Sequence, residues 1–317
     1  MKTCKKEKAY PILCKLELIK KYNIPFNWGS LCLCKRRNGV ITMPSIEPFV
    51  RWAGGKTWLI PYIPNIVGNL HIEHYHEPFL GGGAIYFSME HTKKSYLSDA
   101  NSQLINTYIQ VRDNPEELIE IFIKMPNTED DYYRIRAEIT GENTVENAAR
   151  FLYLNQTSYN GLYRVNRDGR YNVPYGFRTN WIYDSERIRA ASLRLQNTRI
   201  SIGDFEINKY RIKKNDLVFL DPPYTVSHNN NGFIAYNQRL FSLEDQYRLK
   251  RFIEYIKAKG AFYILTNAAH DTIREIFLTQ GDRYVELQRN SLIGGRNATR
   301  IAISEYIFTN IPEGNHE

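Results

Sequence analysis

A short strand near residues 72–77 runs straight into Pro78-Phe79-Leu80-Gly81-Gly82-Gly83, and an apolar helix follows over 84–89. A second strand around 95–97 ends at Ser98-Asp99, with a further helix over about 102–111. Strand, glycine turn, helix, strand and acid, in that order, is the grammar of a Rossmann-like nucleotide site, and it restricts the chain to an α/β sheet. The loop ahead of it, Phe49-Val50-Arg51-Trp52-Ala53-Gly54-Gly55-Lys56-Thr57, leads into a helix expected over 58–66. That loop is not a P-loop, because Val50 occupies the place of the first glycine.

Residues 113–198 interrupt the alternation. Helices are expected over 116–125, 130–140 and 145–154, followed by a hairpin turning at Asp168-Gly169. The hairpin interleaves Arg164, Arg167 and Arg170 with Tyr159, Tyr163 and Tyr171, a composition suited to phosphates and bases. After Ile200 the α/β pattern resumes. The buried strand Leu217-Val218-Phe219-Leu220 enters Asp221-Pro222-Pro223-Tyr224, and Ser242 with Asp245 caps a helix that reaches Ala258. A strand over 262–265, a helix over 270–278 and a closing strand over 304–308 complete the reading. The expected domains are a basic extension over 1–42, a sheet domain over 43–112 and 199–317, and a mainly helical insertion over 113–198 that carries the hairpin.

The net charge of +8 looks like a nucleic-acid signal, yet it is confined to one end. Residues 1–42 hold ten Lys or Arg against Glu7 and Glu17, which leaves 32 bases and 32 acids in the remainder. Binding to a nucleic acid would therefore have to be argued from local patches in the body rather than from its overall charge. All four cysteines, Cys4, Cys14, Cys32 and Cys34, also lie in that segment, in a spacing that suits no zinc finger. No metal site is expected. A body without cysteine lacks the nucleophile that methyl transfer to a cytosine ring carbon requires. No apolar run reaches the ~20 residues of a membrane span. Lys15, Glu17, Lys20 and Lys21 interrupt the one apolar stretch near the start, so a cytoplasmic protein is expected.

Asp221-Pro222-Pro223-Tyr224 stands where ligands sit in open α/β sheets, and its chemistry suits an amino group as nucleophile. The lone pair of an exocyclic base nitrogen is delocalised into the ring and reacts poorly. The Asp221 carboxylate and the Pro222 carbonyl can accept hydrogen bonds from the two amino hydrogens, favouring the tetrahedral nitrogen of the transition state. The prolines hold that carbonyl in place, and Tyr224 offers a face on which an extruded base can stack. No covalent intermediate is needed.

Taken together in this order, the motifs from about Phe49 to Phe308 resemble those of the Dam-type DNA adenine methyltransferases. The resemblance implies a Rossmann-like S-adenosylmethionine-dependent methyltransferase sheet with an inserted, mainly helical target-recognition domain. It also implies a monomer acting on double-stranded DNA, with a restriction endonuclease as a separately acting partner. Trp52, Lys56, Asp99 and Asp221 become cofactor contacts, with Pro78, Phe79, Gly81 and Gly83 forming the glycine motif. Asp204 and Phe205 match the element that meets the cofactor adenine. In the hairpin, Tyr159 matches the residue that wedges into the base stack, Leu162 and Arg164 those that read base edges, and Pro174 a further base contact. Asn160, Arg167 and Arg170 complete the DNA-facing set. The family pattern implies GATC as the target.

Two other readings share these motifs. One is an RNA methyltransferase acting on an amino group; the other is a DNA-binding protein of this fold without catalysis. The segment 1–42 has no counterpart in the resemblance. A protein starting at Met43 should therefore fold and methylate with unchanged sequence preference, while its nonspecific DNA affinity depends less steeply on salt. Binding isotherms at several salt concentrations test this, and an insoluble or inactive truncation contradicts it.

Overall fold

The computed structural model describes residues 36–37, 40–41, 46–89, 92–138, 142–178, 184–224, 241–290 and 302–313. The chain divides into two compact units, Met1–Ser45 and Ile46–Glu317. In the first, β1 (Arg36–Arg37) pairs antiparallel with β2 (Val40–Ile41). The four cysteines lie outside the described residues.

The second unit is organised by a seven-stranded sheet. Its strands are β3 (His74–Glu77), β4 (Lys94–Asp99), β5 (Thr198–Ile202), β6 (Leu217–Leu220), β7 (Phe262–Ala268), β8 (Arg283–Asn290) and β9 (Ala302–Thr309). They lie in the order β5-β4-β3-β6-β7-β9-β8. All neighbours pair in parallel except β9, which runs antiparallel to both β7 and β8. The chain moves outward from β3 through β4 to β5, then returns to place β6 on the other side of β3. Such a reversal is a switch point, and it opens a crevice at the carboxyl ends of the two central strands. Pro78 follows β3 and Asp221 follows β6, so the two most informative motifs border the same crevice.

Strand β6 is buried along its whole length, as a central parallel strand covered on both faces must be. Its side chains alternate between two cores. Leu217 and Phe219 join Tyr75, Leu97, Phe151 and Tyr108 on one face; Val218 and Leu220 join Tyr263, Leu249, Ile273 and Phe308 on the other. The first core receives the helices over the middle of the chain: α3 (Ser102–Asp113), α4 (Pro115–Phe122), α5 (Glu129–Ala137), α6 (Val145–Thr157) and α7 (Ser185–Leu195). Helix α6 packs against α3, α4 and α5 and is therefore buried around most of its circumference. The second core is covered by α8 (Leu243–Ala258) and α9 (Asp271–Phe277). Ser242 and Asp245 form the anticipated capping box at the start of α8. Among the described residues, no helix is long and apolar enough to cross a membrane.

Several elements depart from the sequence reading. The helix expected over 58–66 is instead a 3-10 turn, Thr57–Tyr62, followed by the short α1 (Ile63–Val67). Pro61 cannot donate to an α-helical bond, and its ring would crowd the carbonyl four residues back, so the tighter turn wins. The short α2 (Ala84–Ser88) leaves the glycine motif. Strands β5 and β8 and helix α7 were not anticipated. Both strands lie at sheet edges, where Arg199, Arg283 and Glu286 interrupt the continuous apolar run that marks an interior parallel strand. The helix expected over 130–140 ends earlier, at Ala137, where Glu138 turns to an extended backbone; residues 139–140 lie outside the described residues.

At the amino end of β6, Asp216 is fully buried and ties three segments together. Its Oδ1 lies 2.8 Å from His74 Nδ1, its Oδ2 lies 3.0 Å from His76 Nε2, and the Lys213 N–H donates to Oδ2 at 2.9 Å. The His76 ring stacks on Tyr96 at 4.7 Å. Burial pushes the Asp216 carboxyl up, but the hydrogen bonds from His76, Lys213 and His74 outweigh it and hold the group below its ordinary value. Burial also holds the His76 imidazole below its ordinary value, against the pull of Asp216. Both shifts have the same sign for stability: the unfolded chain takes up protons first as pH falls. Stability should decline below the ordinary imidazole value of about 6.5 and again below about 4 as Asp216 protonates. Asp216→Asn should cost about 1–3 kcal/mol at pH 7 and flatten the lower of these two declines. Urea denaturation across pH measures both, and a pH-independent midpoint in the wild-type protein contradicts the assignment.

Candidate active site

The glycine motif is shaped by two close approaches. Gly83 has φ +66° and makes the turn by donating its N–H to Leu80 O at 2.7 Å; a Cβ there would stand 2.8 Å from the Tyr108 hydroxyl. Gly81 has φ +46°, and a Cβ there would stand 2.7 Å from Trp52 Cδ1. The missing side chain thus lets the indole lie directly on the backbone. Pro78 is buried beneath the turn and Phe79 is half-buried beside it.

Asp99 closes the motif from β4. Its Oδ2 accepts the Gly81 N–H at 3.0 Å, and its Oδ1 accepts the Asn101 N–H at 2.9 Å. Burial pushes this carboxyl up, and those backbone donors only partly offset the effect. The cap of α3 is Asn101, whose side chain accepts from Leu104 N, so Asp99 is not needed for that purpose. Gly203 N–H donates to Asp99 O at 3.0 Å, which brings Asp204 and Phe205 alongside. Asp204 Oδ1 is held by Arg248 at 2.9 Å and by the Glu206 N–H at 3.1 Å. Phe205 is buried and stacks on Phe79 with centroids 5.4 Å apart, while the Arg248 guanidinium lies over its ring.

Asp221, at the end of β6, belongs to a compact polar cluster. Lys56 Nζ sits 2.7 Å from Asp221 Oδ1, 3.8 Å from Glu305 Oε2 and 2.8 Å from the Gly54 carbonyl. Thr266 Oγ1 donates to Asp221 Oδ1 at 2.8 Å, and the Tyr224 hydroxyl donates to Glu305. The ammonium also lies 5.0 Å from the centre of the Tyr224 ring. Side-chain exposure is 4% for Lys56 and 0% for Glu305, but 20% for Asp221. The cluster is thus sealed on the protein side and open at the Asp221 carboxylate. Burial pushes the Asp221 carboxyl up, Lys56 and Thr266 pull it down, Glu305 adds to the rise, and the net shift is upward. Glu77 is buried at the end of β3 and accepts from the Tyr75 hydroxyl at 2.7 Å. Its carboxyl is pushed up to about 8 by burial, with the charges of Asp221 and Asp99 adding to the rise.

The hairpin stands on an irregular base. The Tyr159 N–H donates to Pro174 O at 2.9 Å, so these two residues meet, and Tyr159 is 48% exposed. Asn160 adopts φ +55°, and Leu162 is half-buried. The two arms form no continuous ladder; isolated bridges pair Ser158 with Tyr175 and Val165 with Tyr171, and the Asn172 N–H donates to Arg164 O at 3.0 Å. The tip is a three-residue loop over 167–169 closed by Asn166, whose Oδ1 accepts from the N–H groups of Asp168 and Arg170. Arg164 rests on its own hairpin: Nε donates to Asn172 Oδ1 at 2.7 Å and Nη2 to Asn172 O at 3.1 Å. Arg167, Arg170 and Pro174 are exposed.

The two halves of the site are joined by residues that sequence reasoning passed over. Asn155, buried in α6, accepts the Arg51 N–H at 2.9 Å and donates to Arg51 O at 2.7 Å. The Trp52 ring stacks on Tyr163 with centroids 5.6 Å apart. Glu77, Thr266 and Glu305 were also missed. An acid inside an apolar closing strand was the available signal for Glu305, as a polar Asn inside a buried helix was for Asn155. Among the described residues, no group of acids, His or Cys is arranged to hold a metal.

Comparison with known proteins identifies the family. The sequence model of the D12 class N6 adenine-specific DNA methyltransferases matches residues 52–291. The type II methyltransferase M1.LlaDCHI of Lactococcus lactis subsp. cremoris is 36% identical, over 84% of this chain and 96% of its own length. The type II methyltransferase M.MjaIII of Methanocaldococcus jannaschii is 34% identical, over 70% and 84% respectively. The DNA adenine methylase of Escherichia coli K12 is 30% identical, over 84% and 95%. On that likeness, spread over nearly the whole second unit, the chain belongs to the D12 class of N6 adenine-specific DNA methyltransferases.

Proposed function

We propose that the enzyme methylates the exocyclic nitrogen of an adenine swung out of duplex DNA, within GATC, using S-adenosylmethionine and no covalent intermediate. The observation that carries this reading is the Asp221 carboxylate, anchored by Lys56 and Thr266 yet partly exposed at the end of β6. In this reading Asp221 and the Pro222 carbonyl accept the two amino hydrogens, which pyramidalises the nitrogen and frees its lone pair. Once methylated, the nitrogen carries one proton too many. Asp221 takes it, and its upward-shifted carboxyl makes it a better base than an exposed aspartate. Tyr224 stacks on the extruded base.

The crevice suits the cofactor on its own features. Gly81 and Gly82 leave bare backbone beside Trp52, Asp99 offers carboxylate lone pairs at the end of β4, and Phe79 offers a half-buried ring face. Trp52, Lys56, Pro78, Phe79, Gly81, Gly83, Asp99, Asp204, Phe205 and Asp221 would hold it. When bound, S-adenosylmethionine supplies the electrophilic methyl group. Asp204 and Phe205 are already engaged by Arg248 and by neighbouring rings, so they serve mainly to shape the wall.

Residues 113–198 form the recognition part in this reading. Tyr159 and Asn160 enter the space left by the flipped base, while Leu162 and Pro174 press against base edges. Arg164 reads a guanine: its bonds to Asn172 use two of the five guanidinium donors, and the other three remain for the paired major-groove acceptors. Arg167 and Arg170 meet phosphates. The type II names among the relatives support a modification role beside a separately acting endonuclease.

Asp221→Ala should lower methyl transfer by ~10²-fold or more without loss of the fold. Turnover close to wild type in that variant sinks the mechanism. Arg164→Ala should cost roughly 1–3 kcal/mol at one base pair only, with incomplete rescue by lysine, whose point charge lacks the guanidinium fork. Arg167→Ala and Arg170→Ala should weaken all sequences alike and reduce the salt slope by about one per contact. Methylation rates on duplexes carrying each single change in GATC decide between these outcomes. An even loss across the set for Arg164→Ala removes the GATC assignment.

A further inference from the structure

We infer that Glu305 is a positioning residue for methyl transfer, which fixes the Tyr224 ring through its hydroxyl and shares the Lys56 charge with Asp221. The inference rests on the reading of Asp221 and Tyr224 given above and adds a residue from a distant strand. Glu305 lies near the start of β9, paired with Ala268 of β7. Because β9 runs against the other strands, its beginning reaches the carboxyl ends of β6 and β7, where Asp221 and Thr266 stand. A buried carboxylate there is costly unless it serves as a partner. Glu305 is fully buried, accepts the Tyr224 hydroxyl, and lies 3.8 Å from Lys56 Nζ.

Each contact has a consequence for the reaction. A tyrosine that only stacks on a base is free to swing about its Cα–Cβ bond; one whose hydroxyl is tied to a buried acid is not. The ring therefore waits in one orientation beside Asp221, and the cost of ordering it is met during folding rather than during binding. The second contact concerns charge. The groups facing Asp221 are Lys56 from the loop after Trp52, Thr266 from β7, Tyr224 from its own motif and Glu305 from β9, with Glu77 as the further acid at the end of β3. Lys56 alone would hold Asp221 strongly ionised and poorly basic. A second carboxylate on the same ammonium weakens that hold, which keeps Asp221 a usable acceptor for the amino proton.

The test uses the full-length enzyme, the duplex it methylates best, and saturating S-adenosylmethionine, with kcat and the KM for DNA measured across pH. Glu305→Gln preserves an acceptor for the Tyr224 hydroxyl but removes the charge. Its kcat on the plateau should stay within about threefold of wild type, and its acid limb should move to lower pH, since Asp221 loses a neighbouring negative charge. Glu305→Leu and Tyr224→Phe should each lower kcat by roughly tenfold, and the double variant should be no worse than either single one, because both break the same contact. An acid limb unmoved in Glu305→Gln overturns the inference, as do losses that multiply in the double variant. If Glu305→Leu does not fold, the pH profile of Glu305→Gln still decides. Asp221→Ala separates the two levels of the argument: if it retains turnover, both the mechanism and the role of Glu305 fall. If it is inactive while the Glu305→Gln profile is unmoved, only the latter falls.

Discussion

A buried ammonium organises this protein's site. Lys56 has left water almost completely, which is tolerable only because Asp221, Glu305 and the Gly54 carbonyl surround it. Those partners come from the end of β6, the start of β9 and the loop ahead of α1. Removing one partner of a buried ion pair leaves an uncompensated charge, at a typical cost of ~3–5 kcal/mol. The three segments therefore come into register together. The same charge that holds them also sets the electrostatic environment of the Asp221 carboxylate.

A second set of contacts joins the crevice to the hairpin. Asn155 grips both backbone polar groups of Arg51, the Trp52 indole lies between the bare glycine backbone and Tyr163, and Gln156 donates to Phe49 O. The loop after Phe49 is thus gripped by the helix that leads into the hairpin. Tyr171, buried at the hairpin's foot, donates to Leu162 O and braces the base of the arm. The hairpin is thus attached firmly at its foot, with Arg164, Arg167 and Arg170 exposed further out.

The features legible from sequence are those written in consecutive residues. Gly81 and Gly83 announce a turn whose φ angles and close approaches a side chain would spoil, and both hold those positions. Ser242 with Asp245 announces a helix start by reciprocal bonding over three residues. The strand before Asp221 reads as buried because both its faces are. By contrast, β5 and β8 carry arginines and glutamates at the sheet edges, and a one-dimensional pattern cannot tell an edge strand from a loop. The Asp168-Gly169 signal correctly marks a reversal, yet Asn166 enlarges the loop by bonding two N–H groups at once.

The sequence by itself determined the class of fold, the glycine turn after β3 and the placing of Asp221-Pro222-Pro223-Tyr224 at the end of a buried strand, because each is a property of local order and residue type. Only the tertiary structure decided what surrounds that motif. Glu305 stands 81 residues from Tyr224 along the chain and reaches it because β9 alone runs antiparallel, while Asn155 meets Arg51 across 104 residues. Such pairings leave no local trace. They arise from strand direction and helix packing, and here those decide which charge faces Asp221 and which ring faces Trp52.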